Sequence, residues 1–251
     1  MAYSEQQVTS VRQWSDNTFS FTTTRPENFQ FENGEFVTLG LRIAGKMIAR
    51  AYSIVSTNDL NHLEFLSIHV PDGPLTSQLV QVREGEGVWI NNKATGSLTL
   101  KYVQPGRHLY LMATGTGLAP FMSLIRDPAL VQTYEKVILI HSVRTAAELV
   151  YREEITALVN DRLLYVPTVT RESFETMGRG ADLFRSGELF TKLGICAAEP
   201  EQDRVMLCGN PHMNDEMKAY LEASGWTMTN HKGVGNFTVE KAFVLHHSDD
   251  A

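Results

Sequence analysis

Four apolar runs in the second half of the chain each break into a loop of chemically useful residues, and this repetition limits the fold more than any other feature. Leu109–Ala113 leads into Thr114-Gly115-Thr116-Gly117, and Val137–Ile140 into His141-Ser142-Val143-Arg144. Leu164–Val169 leads into Thr170-Arg171, and Val205–Leu207 into Cys208-Gly209-Asn210-Pro211. The longer amphipathic stretches between them read as helices. Parallel strands cannot be joined by tight hairpins, so strand–helix alternation implies a parallel sheet with right-handed crossovers. All strand carboxyl ends then point one way, and the four loops converge on one crevice, the place where open α/β sheets bind ligands.

The first hundred residues follow another rhythm. Short alternating segments recur at Val8–Trp14, Phe19–Thr24, Phe36–Ile43, Met47–Val55, His62–Val70 and Val88–Ile90, parted by turn chemistry such as Glu32-Asn33-Gly34 and Gly85-Glu86-Gly87. This spacing suggests an antiparallel barrel or sandwich. Leu75–Val82, following Gly73-Pro74, reads instead as a short helix. With Gln104-Pro105-Gly106 as connector, the expectation is two domains: an antiparallel β-barrel over 1–102 and an α/β domain with a five-stranded parallel sheet over 103–251.

Bulk properties narrow the function. A net charge of −7 argues against general nucleic-acid binding. No apolar stretch approaches the roughly 20 residues of a membrane span, and the amino terminus lacks signal-peptide character, so a cytoplasmic location is expected. Cys196 and Cys208 are the only cysteines, which removes a disulfide framework and a four-thiolate iron–sulfur cluster within the chain. The eight histidines show no metal-ligand spacing, and no metal site is expected.

The loops indicate the ligand. Arg50-Ala51-Tyr52-Ser53 ends a barrel strand, where alternation sets Arg50 and Tyr52 on one face. A guanidinium forks onto a diphosphate, and a tyrosine offers a flat face and a hydroxyl. Gly73-Pro74-Leu75-Thr76-Ser77 opens the lone helix of this half, where N–H groups and hydroxyls suit a phosphate. Each motif alone is an ordinary surface strand or an ordinary cap; paired, they favour a diphosphate site. Ala113–Gly117 follows a strand and precedes a helix, as a dinucleotide loop must, although it is not G-x-G-x-x-G. The second strand lacks the acid that would take a ribose 2′-hydroxyl and offers Arg144 instead, with Arg171 and Arg179 in the following loops, which favours NADP. Cys208 is small enough to let a nicotinamide approach, and Gly209 permits close backbone contact; no neighbouring base marks Cys208 as a nucleophile.

Taken in order, these motifs and the tail Val239-Glu240-Lys241-Ala242-Phe243-Val244 resemble the ferredoxin–NADP⁺ reductase family, in its bacterial ferredoxin/flavodoxin branch, essentially end to end. The resemblance implies non-covalent FAD between the domains, and NADP(H) as its redox partner. Hydride would pass to the flavin N5, and single electrons would leave to ferredoxin or flavodoxin, with the chain a monomer. It implies that Tyr52 stacks on the flavin, that Arg50, Thr76 and Ser77 hold the pyrophosphate, and that Ala51, Ser53, Ser67, His69 and Leu75 complete that site. On the nucleotide side it implies Thr116, Arg144, Thr145, Thr170, Arg171, Arg179, Cys208, Gly209 and Asn210. Ala242, with Phe243 beside it, stands where the plant branch ends on a flavin-stacking tyrosine, which adds Ala242 to Tyr52 and Cys208 as residues at the reacting rings. Two alternatives remain: an NADPH-dependent flavin or ferric-siderophore reductase, and a non-enzymatic flavin-binding module.

Overall fold

A computed structural model describes residues 2–241. Six strands make the amino-terminal half: β1 (Tyr3–Gln13), β2 (Thr18–Thr24), β3 (Phe36–Ile43), β4 (Lys46–Ser53), β5 (His62–Ile68) and β6 (Gly87–Asn91). They form one antiparallel sheet in the order β4-β3-β6-β1-β2-β5. The two edges meet where Ile54 bridges Phe65 and the Val55 N–H donates to Glu64 O at 2.8 Å, so the sheet curls into the expected barrel. Inward positions of the alternating strands fill it: Phe19, Phe21, Val37, Leu39, Leu63, Phe65, Val88 and Ile90 are buried together.

One expectation needs correction. The helix read over 75–82 is a single turn, α1 (Thr76–Leu79). Leu75 and Leu79, one turn apart, are buried in the barrel core; beyond Leu79 the backbone bonds tighten to i−3, with the Gln81 N–H on Gln78 O at 3.0 Å and the Val82 N–H on Leu79 O at 3.2 Å, so the α-helix does not propagate. A single turn aligns few peptide dipoles, so the helix-dipole part of the phosphate argument falls away.

The second half contains β7 (His108–Thr114), α2 (Ala119–Ile125), α3 (Pro128–Thr133), β8 (Lys136–Val143), α4 (Arg152–Leu158) and β9 (Leu163–Val169). It continues through α5 (Gly180–Ser186), α6 (Glu188–Leu193), β10 (Arg204–Gly209), α7 (Pro211–Ala223) and β11 (Phe237–Lys241). All four strand pairings are parallel, in the order β11-β10-β7-β8-β9. Strand residues are apolar on both faces because both faces are covered. Leu109, Leu111, Val137 and Leu139 pack with Phe121, Met122, Leu130 and Ile155 from α2, α3 and α4. Tyr110, Met112, Ile138 and Ile140 pack with Phe184, Phe190, Met217 and Leu221 from α5, α6 and α7. The α2 side also takes in Val55, Leu66 and Leu98 from the barrel, so the two halves share one hydrophobic core.

At the amino ends of the strands, the fully buried Asp203 ties β7 to the lead-in of β10. It accepts from Arg107 Nε at 3.1 Å and Nη2 at 2.8 Å, from the His108 N–H at 3.2 Å, and from the Glu199 N–H at 2.9 Å. Four hydrogen bonds to this one carboxyl group offset its desolvation. Among the described residues no helix is long and apolar enough to cross a membrane, both cysteines are free, and no cluster of metal-ligating side chains occurs.

Candidate functional site

The chain leaves β7 outward through β8 and β9, then returns to the other side of β7 with β10. The order therefore reverses between β7 and β10, and their carboxyl ends flank the switch point. Three hydrogen bonds join the loops there. The Asn210 N–H donates to Thr114 Oγ1 at 2.7 Å, linking β10 to β7. His141 Nε2 donates to Gly115 O at 3.2 Å, linking β8 to the β7 loop. The Arg171 N–H donates to Arg144 O at 2.9 Å, linking β9 to β8. Glycines allow this crowding: a Cβ at Gly117 would strike the Cys208 carbonyl, and one at Gly209 would strike Thr114 Oγ1.

His141 is fully buried, and burial pushes its imidazole down to about 4. It is therefore neutral near pH 7. With the proton on Nε2, Nδ1 accepts from the Tyr165 hydroxyl at 3.5 Å. Next to it, Ser142 Oγ accepts from Thr168 Oγ1 at 2.8 Å and from the Gly180 N–H at 2.9 Å. That second bond seats Arg179, one residue earlier, at the same sheet edge.

The three arginines all occupy this edge and are exposed. Arg144 is not idle: its Nη2 lies 2.9 Å from Glu148 Oε1, and its N–H donates to Glu148 Oε2 at 3.0 Å. This leaves the Nη1 side of the guanidinium open. Thr145 is half-buried; Thr170 is exposed, with its hydroxyl donating to Val143 O at 3.3 Å.

Across the crevice lies the barrel. The turn Gly115–Leu118, which carries the half-buried Thr116, packs against β5. Near the end of β5 the buried Ser67 meets the Tyr52 hydroxyl at 3.2 Å. Tyr52 is 9% exposed and stands edge-on to Phe65. Burial raises the Tyr52 phenol, so it is protonated and able to donate. Two residues past β5, Val70 bonds Thr76 Oγ1 through both its N–H, at 3.3 Å, and its carbonyl, at 3.2 Å. The Arg50–Ser53 and Gly73–Ser77 motifs, far apart in sequence, thus meet around one strand end. Arg50 and Ala51 are exposed, and Ser53, His69, Thr76 and Ser77 half-buried; Leu75 sends its side chain into the core and leaves only backbone for a ligand.

Cys208 is 1% exposed. Burial pushes its thiol well up, and the nearby Glu240 adds to this, so the sulfur is a packing atom rather than a nucleophile. Glu240, opposite Cys208 in the β10–β11 register, belongs to the tail motif, which gave it no role of its own. It accepts from Ser97 through both the N–H and, at 3.0 Å, the hydroxyl, while Thr238 Oγ1 reaches the same hydroxyl at 3.0 Å. The last strand is thereby pinned to the barrel. Burial pushes the Glu240 carboxyl up, and the Ser97 and Leu98 bonds partly oppose this. Ala242 and Phe243 lie outside the described residues.

The donor set suits two nucleotides. Arg50, Thr76 and Ser77 offer a guanidinium and two hydroxyls on the barrel side, and three exposed arginines stand on the sheet edge, with Gly115, Gly117 and Gly209 in the β7 and β10 loops. Comparisons with known proteins agree. An oxidoreductase FAD-binding domain model matches residues 5–99, and an oxidoreductase NAD-binding domain model matches residues 111–219. The chain is 47% identical over 250 residues to a ferredoxin–NADP reductase of Azotobacter vinelandii, covering 95% of this chain and 97% of that one. It is 44% identical to a flavodoxin/ferredoxin–NADP reductase of Rhodobacter capsulatus, covering 95% and 93%. A crystal structure of a ferredoxin NADP⁺ reductase from Neisseria gonorrhoeae with bound FAD and NADP superposes with a TM-score of 0.92 at 29% identity, covering 97% of this chain and all of that one.

Proposed function

The chain belongs to the ferredoxin–NADP reductase family, and from that premise we propose that it moves electrons between NADPH and ferredoxin, or flavodoxin in its place, through a bound FAD. The observation that carries this reading is the contact of the Gly115–Leu118 turn with β5, which sets the nucleotide edge of the sheet against the strand that bonds Tyr52. FAD held there would supply the conversion between the two-electron chemistry of a nicotinamide and the one-electron chemistry of a protein carrier.

The protein's own part is orientation. Arg50, Thr76 and Ser77 hold the diphosphate, and Tyr52, fixed by Ser67, supplies the ring beside the flavin. Arg144 and Arg171, joined through their backbones, take the 2′-phosphate, with Arg179 beside them. Gly117 and Gly209 let the β7 and β10 loops close on each other beside the nicotinamide, and the buried Cys208 thiol backs those loops without reacting. No proton need be moved by a side chain for hydride transfer, which accords with a site whose buried His141 and Cys208 are both held neutral.

The test is direct. The purified protein should be yellow, release FAD on denaturation, and use NADPH to reduce ferredoxin or flavodoxin. Recovery of FMN alone would contradict the diphosphate site. Turnover with free flavins or ferric siderophores but with neither protein carrier would replace the acceptor assignment.

A further inference from the structure

The loop from Arg144 to the start of α4 ends on a residue in an unfavourable conformation. Tyr151 has φ 57° and ψ 11°, a left-handed region that bulky side chains avoid, yet it is 2% exposed. Its side chain explains why the conformation persists. The Tyr151 hydroxyl donates to Glu64 Oε1 of β5 at 2.7 Å, and its ring packs on Trp14 of the barrel at 4.5 Å between centroids. Arg126, at the end of α2, closes the cluster: its Nη1 reaches Glu64 Oε2 at 2.6 Å and Val55 O at 2.9 Å, and its Nε reaches Glu154 of α4 at 2.7 Å. The loop that begins with Arg144 is thus plugged at its far end into the barrel. It plugs into the same strand that carries Ser67, three residues beyond Glu64 and bonded to Tyr52.

We propose that Tyr151 and Glu64 are positioning residues for hydride transfer, fixing the loop that grips the 2′-phosphate to the strand that places the flavin. The inference rests on the reading that Arg144 meets the 2′-phosphate. NADP(H) spans the two halves, gripped at its adenylate end by one and reacting against the other. Play between the halves therefore becomes misalignment of the reacting rings, and about 1 Å of misplacement is enough to cost on the order of a hundred-fold in rate.

The experiment uses the FAD-loaded Tyr151→Phe and Glu64→Gln proteins. Both retain the packed volume, and the first removes only the hydroxyl. Three quantities are measured: affinity for adenosine 2′,5′-bisphosphate, the flavin absorbance change at saturating NADP⁺, and the rate of flavin reduction at saturating NADPH. The expected result is unchanged affinity for the fragment, which touches only the sheet edge. The absorbance change should shrink and the reduction rate fall by roughly ten-fold or more, each referred to bound FAD. A lower melting temperature with an unaltered absorbance change and rate would make the cluster purely structural and overturn the proposal. An Arg144→Ala control separates the two ideas: if it binds the fragment as tightly as wild type, the underlying 2′-phosphate reading fails instead.

Discussion

Lowering the pH should weaken this fold through one identifiable imidazole. The His141 value falls from the ordinary 6.5 to about 4 because the ring is fully buried between Gly115 O and the Tyr165 hydroxyl. A group whose folded value is depressed favours the folded state above its unfolded value, and that preference is lost as pH falls toward the folded one. The gap between the two values, at ~1.4 kcal/mol per pH unit, sets a full loss of about 3 kcal/mol. The same linkage gives a loss of about 0.8 kcal/mol by about pH 6 and about 2 kcal/mol by about pH 5, relative to about pH 8. His141→Gln supplies the comparison, since it keeps an N–H donor near Gly115 O and cannot titrate. Urea unfolding followed by tryptophan fluorescence at matched pH values gives the two curves, and subtracting them removes the contribution of His108 and the carboxylates. The variant should be uniformly less stable at high pH and converge on wild type as the pH falls. Parallel curves from about pH 8 to about pH 5 would refute the idea that the buried ring is neutral by desolvation.

Further expectations are more compact. Arg171→Ala should raise the apparent KM for NADPH by roughly ten- to a hundred-fold, the worth of a charge-assisted hydrogen bond, and leave that for NADH nearly unchanged; equal losses in steady-state assays would remove it from the 2′-phosphate site. Glu240 has a raised folded value, so its contribution favours folding at low pH and is lost as pH rises through that value. Glu240→Gln should therefore gain stability relative to wild type between the ordinary carboxylate range and neutrality, as read by denaturant midpoints. If the exposed bases Arg42, Lys46, Lys93, Lys232 and Lys241 steer an acidic carrier, acceptor reduction should slow steeply with salt while NADPH oxidation at saturation does not; flat stopped-flow rates would dismiss that patch.

Strands packed by their own alternation were legible in the chain. Phe36–Ile43 reads as a strand from Val37, Leu39 and Leu41 alone, and the parallel strands stand out as unbroken apolar runs because helices cover both their faces. The convergence of the strand-end loops was equally legible, since strand–helix alternation alone sends them to one edge of the sheet. What sequence hides is created by pairing at a distance. Glu240 stands in the tail motif with no role of its own until the β10–β11 register sets it opposite Cys208 and Ser97 reaches it from the barrel. Tyr151 looks like an ordinary apolar residue before a helix, because its partners Trp14 and Glu64 lie far away in sequence. The helix at 75–82 was overextended because Val80 and Val82 keep an apolar pattern where the backbone bonds tighten from i−4 to i−3.

The buried knot at Asp203 sits at the opposite end of β10 from Cys208 and Gly209. Six residues of strand separate the two ends, on the order of 20 Å at ~3.3 Å per residue. Substitutions farther apart than about 10 Å that share no partners combine additively. Changes made to the carboxyl-edge loops, whether by selection or by design, should therefore leave the contribution of the Asp203 bonds unaltered, while their own cost adds to the total. On the proposed reading, one nucleotide could be exchanged for another by altering Arg144, Arg171 and their neighbours while the anchor stays untouched. The sheet is long enough for its two ends to change independently, one for ligand and the other for stability, with their effects summing in a single folded state.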